Sequence, residues 1–484
     1  MAREAVIGLE CHVQLRTRTK MFCACPVEYG AAANANVCPV CLGLPGALPV
    51  VNDAAIEYAL RLGLALGCEV HGESEFARKN YFYPDMPKNY QISQYDRPLC
   101  TGGALPVVMD GAERRFALTR IHCEEDTGKS FHPERHGDRR VSRVDFDRAG
   151  VPLLELVTEP VLRTPAECAA FLLALRRLVR WLGISDGDME KGQLRCDANV
   201  SLRPAGGTTL GTKTEIKNLN SIKGVEKGVT AEIARQAREL DTGGRIEQAT
   251  LLYDADHDRL AVMRSKEHAH DYRYFPEPDL PPLRVPAERL AAARAALPEL
   301  PWAREERFLA AYGLPAYDAA VVSDPRELAD YFEACAAGGD AKLTSNWLMT
   351  EVLRALKERG ASLEAWATQV PPERLSAFLA RVGDRSLPGP LAKQVFAWMA
   401  DEPGSVDELL ARHGVRVQGS AADLAPLVRA VLAENPGAVE QYLGGKTATL
   451  GFLVGQVMKR SGGQAVPQAV QELLRRELAG RSGS

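Results

Sequence analysis

The sequence predicts an α+β protein in which a mostly antiparallel sheet domain is followed by a helical domain and a small helical tail. Three observations lead there. Several segments in the first half alternate between apolar and polar residues, the period-2 signature of strands with one face on a core. From about Pro286 to Pro403 the chain turns to Ala, Leu, Glu and Arg at helical spacing, as from Leu343 to Leu356. Past a loop near Val415 to Ala421 comes a compact helical segment with a basic end. The expected boundaries are 1–292 for the sheet domain, 293–412 for the helical domain and 413–484 for the tail. At 484 residues the chain is too long for one ordinary core, which agrees with such a division.

Composition narrows the class. No apolar run is long enough to span a bilayer, and the opening Met1 to Val6 lacks the apolar region of a secretory signal. A cytoplasmic enzyme or assembly component with no membrane partner is expected. A net charge of -4 argues against a chain that coats nucleic acid with its whole surface, so any RNA contact must be regional. Eleven cysteines without an export signal point away from a disulfide framework and toward metal spacing, which four of them have.

In chain order, Val6 to Leu15 reads as a strand. Ile7, Leu9, Cys11, Val13 and Leu15 point one way, and Glu10, His12 and Gln14 the other, either as ordinary decoration of a half-exposed strand or as a site with a carboxylate and an imidazole side by side. Cys23 and Cys25, then twelve residues, then Cys38 and Cys41 make two close pairs that can converge on Zn²⁺. A closed cage of four thiolates leaves no open coordination position, so this zinc would hold structure and not react. It would pin the loop leading into Gly43 to Gly46 and a helix from about Asp53 to Leu66. The stretch from Arg78 to Tyr95, rich in Tyr, Asn and Gln and broken by Pro84 and Pro87, is expected to be a polar binding loop or a long loop anchored by buried tyrosines.

Arg120 to Ser130 concentrates Glu124, Glu125 and Asp126 beside His122 and Lys129. Such a run is either a solvated acidic turn or a site for a hard cation near phosphate, because clustered carboxylate oxygens suit Mg²⁺. A phosphate-cradling loop is excluded at Gly128-Lys129-Ser130 and at Gly445-Lys446-Thr447, since the glycine needed five residues earlier is Cys123 in one and Glu440 in the other. If ATP binds, it binds through metal. His132 and His136 sit four apart in a basic loop, as ordinary loop residues or as a weak metal pair. Glu155 lies among apolar residues from Val151 to Val157, so it is expected to be buried and to need either a core arginine or a metal. A helix from about Pro165 to Leu182 precedes Leu194 to Arg203, which alternates with Arg195 and Asp197 on its polar face. Thr212 to Asn220 repeats the device with Lys213, Glu215 and Lys217 on one face. Several strands thus offer an apolar face to a core and a charged face to one shared cavity. His270 to Asp279 closes this region as another aromatic, charged loop. Between Gln441 and Ser484 six Lys or Arg stand against two Glu, which suits phosphate-backbone contact or an ordinary basic helix pair.

Taken together, Ile7 to His12, the four cysteines, Arg78 to Pro84, His122 to Lys129, Leu194 to Asn199, Asp271 to Pro278 and Gly451 to Gln456 resemble the B-subunit family of the aspartyl/glutamyl-tRNA amidotransferases, nearly from end to end. The resemblance implies a cradle-shaped catalytic domain akin to the glutamine synthetase fold and a tail that touches tRNA. It implies a ligase reaction on misacylated tRNA: the side-chain carboxylate of Glu-tRNA(Gln) or Asp-tRNA(Asn) attacks the γ-phosphate of ATP, and ammonia displaces phosphate from the acyl phosphate. Ammonia would come from glutamine hydrolysed by the amidase (A) component, with a small third (C) component completing the assembly. By position, His12, Glu125 and Glu155 match the family's Mg²⁺ ligands, with Glu10 and Glu124 close by as catalytic candidates. Lys79, Arg195, Lys213 and Lys217 are candidates for stabilising phosphate or substrate charge. Two other classes stay in view: a zinc-containing RNA-binding scaffold without catalysis, which has no need of the acids, and a metal-dependent hydrolase acting alone, which has no use for the tail.

Overall fold

In a computed structural model, residues 2–131, 141–255, 257–265 and 272–481 are described. His132, His136, His270 and Asp271 lie outside them. The chain divides into two compact units, Met1–Trp302 and Ala303–Ser484, with the division falling within the helix Pro301–Tyr312.

The described residues of the first unit contain seventeen short and long strands: β1 (Arg3–Gln14), β2 (Glu69–Val70), β3 (Glu73–Ser74), β4 (Ala77–Asn80), β5 (Tyr90–Ser93), β6 (Cys100–Thr101), β7 (Ala104–Met109), β8 (Ala112–Glu125), β9 (Lys129–Phe131), β10 (Arg143–Asp145), β11 (Pro152–Thr158), β12 (Leu194–Pro204), β13 (Thr214–Lys217), β14 (Ala249–Asp254), β15 (Arg259–Ser265), β16 (Phe275–Pro276) and β17 (Leu283–Arg284). Ten of them form one sheet in the order β15-β14-β13-β12-β1-β11-β8-β6-β2, with β7 also on β8. Its pairs are antiparallel except β13 with β14, which are parallel and joined through a helix. The expected mixture of sheet and helix is therefore present, and the sheet is mostly antiparallel.

Central β1 shows why the sheet has two different faces. Ile7, Leu9, Cys11 and Val13 are at most 1 % exposed, while the alternate residues Glu10, His12 and Gln14 remain partly accessible. The apolar side packs on three helices. Helix α1 (Asp53–Ala65) starts at Asn52, whose side chain accepts the Ala54 N–H. Helix α2 (Pro165–Trp181) starts with a capping box between Thr164 and Glu167 and has Pro165 in its first turn, where no N–H is needed. Helix α3 (Ile222–Asp241) is capped by Ser221, spans the β13 to β14 crossover, and packs on α2 and β12. Together they bury Ile56, Leu60, Phe171, Leu175, Val225 and Val229 against the strands. Burial of this one-sided kind fixes register, because a slip of one residue would turn the apolar set outward.

Arg78 to Tyr95 departs from the expected loop. Its ends are β4 and β5, which pair antiparallel from Ala77↔Ser93 to Asn80↔Tyr90, and β16 adds a third strand on β4. Pro84 and Pro87 fall in the connection between strands, where they cost no ladder hydrogen bond. This small sheet docks on the end of β8: Gln91 Nε2 donates to the Glu125 carbonyl at 2.6 Å, and the Cys123 N–H donates to Gln94 Oε1 at 2.9 Å. The strand expected over Thr212 to Asn220 is limited to β13.

Every named element of the second unit is a helix, with one isolated β-bridge, Gln418↔Ala465, among its described residues. The single helix expected from Leu343 to Leu356 is Ala341–Trp347 and Leu353–Arg359 with a wider π turn, Leu348–Val352, between them. That turn places buried Glu351 beside Arg354 and within 3.4 Å of Lys393. Rings of Trp347, Trp366, Phe378 and Phe396 meet nearby. The tail has its own apolar cluster, including Leu424, Val428, Leu453, Val457, Val470 and Leu474.

Candidate metal centre

Four adjacent strands place four polar side chains directly opposite one another. Arg195 of β12 pairs with His12 of β1, His12 with Glu155 of β11, and Glu155 with His122 of β8, so the row crosses the sheet without leaving its polar face. The adjoining row on one side holds Asp197, Glu10 and Arg120, and the row on the other holds Gln14 and Glu124. Alternation along each strand is enough to assemble these groups, because antiparallel partners share a face.

Their separations are short. His12 Nε2 lies 3.5 Å from Glu155, 3.5 Å from Glu124 and 3.7 Å from Glu10. His122 Nε2 lies 3.6 Å from Glu155 and 3.9 Å from Glu124. Two ligand sets result, Glu10-His12-Glu155 and His122-Glu124-Glu155, each with its candidate donor atoms within 4.8 Å of one another and with Glu155 in common. Glu124 and Glu155 are 2 % and 5 % exposed, so their negative charge is largely cut off from water.

Proton affinities reflect that crowding. Burial, with Glu155 adding repulsion, raises the Glu124 carboxyl to about 7. Burial likewise raises Glu10, and Glu155 pushes it in the same direction. For His12, burial would lower the value, but the hydrogen bond to Glu155 and the fields of Glu124 and Glu155 win and raise it to about 9. Burial drives His122 down to about 4, aided by Arg120, Lys79 and His12 and opposed by Glu155. Burial opposes ionisation of Glu155, yet His122 and His12 hold it below the usual carboxylate range. His122 Nδ1 is buried without a hydrogen-bond partner. Carboxylate and imidazole donors at this spacing, carrying buried negative charge, fit a hard divalent cation.

A cavity of about 260 Å³ opens over the Arg195 and His12 end of the row. His12, Lys79, Glu124, Arg195 and Lys217 line it, joined by Tyr81, Gln91, Asp126, Asp197 and Tyr272. Arg195 donates to Asp126 at 2.8 Å, and Lys217 is held between Asp197 at 2.5 Å and Glu215 at 3.1 Å. Lys79 rests 4.9 Å from the Tyr272 ring centre and has no carboxylate within 4.0 Å among the described residues. Of the expected site residues, Glu10, His12, Lys79, Glu124, Glu155, Arg195 and Lys217 are therefore brought together.

Two are not. Glu125 follows Glu124 on β8 and so points to the opposite face, where Lys88 and the Ile92 N–H (2.9 Å) engage its carboxylate. It joins neither ligand set, so the structure does not bring Glu125 together with His12 and Glu155, with which it was expected to bind Mg²⁺. Lys213 precedes the paired residues of β13 and is exposed, away from the cavity lining. The sequence places His122 and Asp126 in the charged Arg120–Ser130 stretch and Asp197 on the polar face of its strand, but assigns none of the three a role of its own. His122 sits two residues before Glu124 and Asp197 two after Arg195, a period-2 signal that could have found both.

Cys23, Cys25, Cys38 and Cys41 form a separate group that could hold a metal ion. The Cys23 hydrogen bond holds the Cys41 thiol down at about 4, against its burial. The Cys38 N–H also reaches Cys41 Sγ at 3.1 Å. Four sulfurs gathered this closely, one of them faced by a backbone N–H, offer the donor set of a tetrahedral Zn²⁺ site.

The chain is similar to known proteins over nearly its whole length. Residues 5–291 match the GatB/GatE catalytic domain, and residues 330–478 match the GatB domain. The chain is 50% identical over 479 residues to the B subunit of the aspartyl/glutamyl-tRNA(Asn/Gln) amidotransferase of Moorella thermoacetica, covering 99% of this chain and 100% of that protein. It is 49% identical over 481 residues to the protein of the same name from Chlorobium luteolum, again covering 99% and 100%. The protein of that name from Halorhodospira halophila is 49% identical over 483 residues, at the same coverage. With both family domains matched and half of its residues shared over the full length of such relatives, the chain belongs to the family of aspartyl/glutamyl-tRNA(Asn/Gln) amidotransferase B subunits.

Proposed function

We propose that this chain activates and amidates the amino acid carried by a misacylated tRNA. The side-chain carboxylate of Glu-tRNA(Gln) or Asp-tRNA(Asn) attacks the γ-phosphate of ATP, forming an acyl phosphate and releasing ADP. Ammonia then attacks the acyl carbon and inorganic phosphate leaves, giving Gln-tRNA(Gln) or Asn-tRNA(Asn). The observation that carries this reading is the transverse row of Arg195, His12, Glu155 and His122, flanked by Glu10 and Glu124, whose Arg195–His12 end opens into a cavity also lined by Lys79, Glu124 and Lys217.

Each residue has a physical task. Glu155 lies between the two imidazoles and serves both ligand sets, so it fixes their spacing. His12 and Glu124 line the cavity, with Glu10 beside the first and His122 beside the second. When bound there, Mg²⁺ would neutralise triphosphate charge, the main electrostatic need of phosphoryl transfer. Asp126 and Asp197 hold the Arg195 and Lys217 heads in place, which lowers the entropic cost of meeting an anion. Lys79, without a carboxylate partner among the described residues, is the cation best placed to meet phosphate. Glu125 sits behind the sheet and supports it.

The largely antiparallel sheet with acids on its open face supports a cradle of the glutamine synthetase kind. The four cysteines would hold Zn²⁺ as a structural brace. The partners are the amidase (A) component that supplies ammonia, the small (C) component, and tRNA, met in part by the tail, in the cytoplasm. Among the described residues no helix is long and apolar enough to cross a membrane. A scaffold without catalysis would not need six ionisable groups arranged around shared donors on the sheet face.

The test uses the purified complex, ATP, Mg²⁺ and Glu-tRNA(Gln) or Asp-tRNA(Asn). ATP turnover should depend on the misacylated tRNA, and Glu155→Gln should lower it by roughly 10²–10³-fold, as expected for losing several kcal/mol of charge stabilisation. Unchanged turnover in Glu155→Gln would remove the site from the mechanism.

A further inference from the structure

We infer that Lys20 is a positioning residue for the four-cysteine cage, balancing its charge and fastening it to the back of the sheet. This rests on reading Cys23, Cys25, Cys38 and Cys41 as a zinc site. Lys20 is fully buried, at 0 % exposure. Its ammonium has two polar neighbours among the described residues: Cys41 Sγ at 3.7 Å and the Phe146 carbonyl at 3.2 Å. No carboxylate among the described residues makes an ion pair with it. A buried ammonium without a counter-ion is expensive, so the fold must supply an anion.

A separate cavity of about 110 Å³ is lined by Lys20, Cys23, Cys41 and Glu125, but Lys88 and the Ile92 N–H already engage that carboxylate. The remaining anion is sulfur. Four thiolates around a divalent ion leave net negative charge, and an ammonium beside one of them offsets part of it. Metal ligands are oriented and tuned by such outer partners. Lys20 also links the cage to the sheet domain mechanically. Its own N–H donates to the Cys25 carbonyl at 3.0 Å, and the next N–H, of Met21, donates to the Gly150 carbonyl at 2.7 Å. Gly150 has φ +87°, and a Cβ built there would meet Lys20 Cδ at 3.4 Å, Cys41 Cβ at 3.6 Å and Glu125 Oε2 at 3.7 Å. Cage, lysine and the rear carboxylate of β8 therefore converge on one glycine.

The experiment measures zinc in the full-length chain, then its release to a chromogenic chelator, in wild type, Lys20→Met and Lys20→Arg. A parallel cobalt-substituted series reports the thiolate-to-metal absorption bands. Zinc should leave Lys20→Met about 10–100-fold faster than wild type, the range for loss of an outer partner, and Lys20→Arg should recover much of the difference. The cobalt bands of Lys20→Met should move to longer wavelength, because sulfur without a nearby cation is the better electron donor. Should Lys20→Met fail to fold, Lys20→Gln, which keeps a donor but no charge, is read in its place with the same two outcomes. Equal release rates and unshifted bands overturn the role of Lys20. Wild type that takes up no zinc overturns the cage reading itself and the inference with it.

Discussion

Glu124 and Glu125 are consecutive and equally buried at 2 % exposure, yet they sit in opposite electrostatic worlds. Glu125 faces the rear of β8, where the Lys88 ammonium and a backbone N–H satisfy it. Glu124 faces the front, where its close neighbours are Glu155 and two imidazoles, and where burial and repulsion raise its proton affinity. Behind the sheet, charge is balanced by the chain itself. In front, three acids crowd around two imidazoles, with only Arg120, 3.9 Å from Glu155, and the Ser93 hydroxyl, 3.4 Å from Glu124, as further close partners of that buried pair among the described residues. Self-compensated charge holds a fold together, whereas uncompensated buried charge is the signature of a group that waits for a ligand.

The largest expected effect contrasts Glu155→Gln with Glu125→Gln. The first should lower tRNA-dependent ATP turnover by the roughly 10²–10³-fold given above. Its stability loss should be the smaller of the two, since pairing lost with the imidazoles is offset in part by relieved repulsion with Glu10 and Glu124. The second should cost about 3–5 kcal/mol of stability in denaturant titration, because it leaves Lys88 buried and unpaired. Reversed outcomes would break the contrast. Next is Gly150→Ala, which forces a Cβ into a left-handed backbone conformation beside Lys20, Cys41 and Glu125. A loss of about 1–2 kcal/mol is expected, with less zinc retained after chelator challenge and little change in Mg²⁺ dependence.

The smallest effect is a pH slope confined to the front face. His12 is raised from 6.5 to about 9, so its contribution to stability is complete below pH 6.5 and lost as pH rises through 9. Glu124 is a carboxyl raised from 4.5 to about 7, so the folded state also prefers its protonated form, and that contribution fades as pH rises through 7. The depressed Glu155 has the opposite sign, but its contribution is already complete above pH 4.5. In chelator, the melting temperature should therefore fall from pH 7 to pH 9, and His12→Gln should flatten that fall. An equal slope in the variant would show that His12 is not the group responsible.

Much of the front face is legible in the sequence because strands have a period of two. Once Ile7, Leu9 and Cys11 mark the core side, Glu10 and His12 must face the other way, and the same logic brings Arg195 and Lys217. Logic of this kind stops at Glu124 and Glu125. Adjacent acids at the end of a strand fall on opposite faces, and only the register, Leu153↔Glu124 beside Glu155↔His122, says which one joins Glu155. His122 is hidden by the dense charge that follows it. The β4-β5 pair is hidden for a different reason: its prolines and tyrosines resemble a loop, and its strands are short enough that pairing, not composition, defines them. Lys213 fits the alternation of Thr212 to Asn220 but lies just outside the paired residues. The Cys23-Cys25 and Cys38-Cys41 spacing needs no such long-range information, since thiols close in sequence converge by local turns.

The direct opposition of Arg195, His12, Glu155 and His122 has a consequence for quality control during synthesis. These four residues come from strands that are far apart in the chain and meet only in one alignment. A one-position slip of β1 would set Cys11 or Val13 where His12 belongs and bring an apolar residue to the polar face. A misaligned chain would thus be silent from the start, without passing through a half-active form, and its exposed apolar row would mark it for removal before it could join a partner.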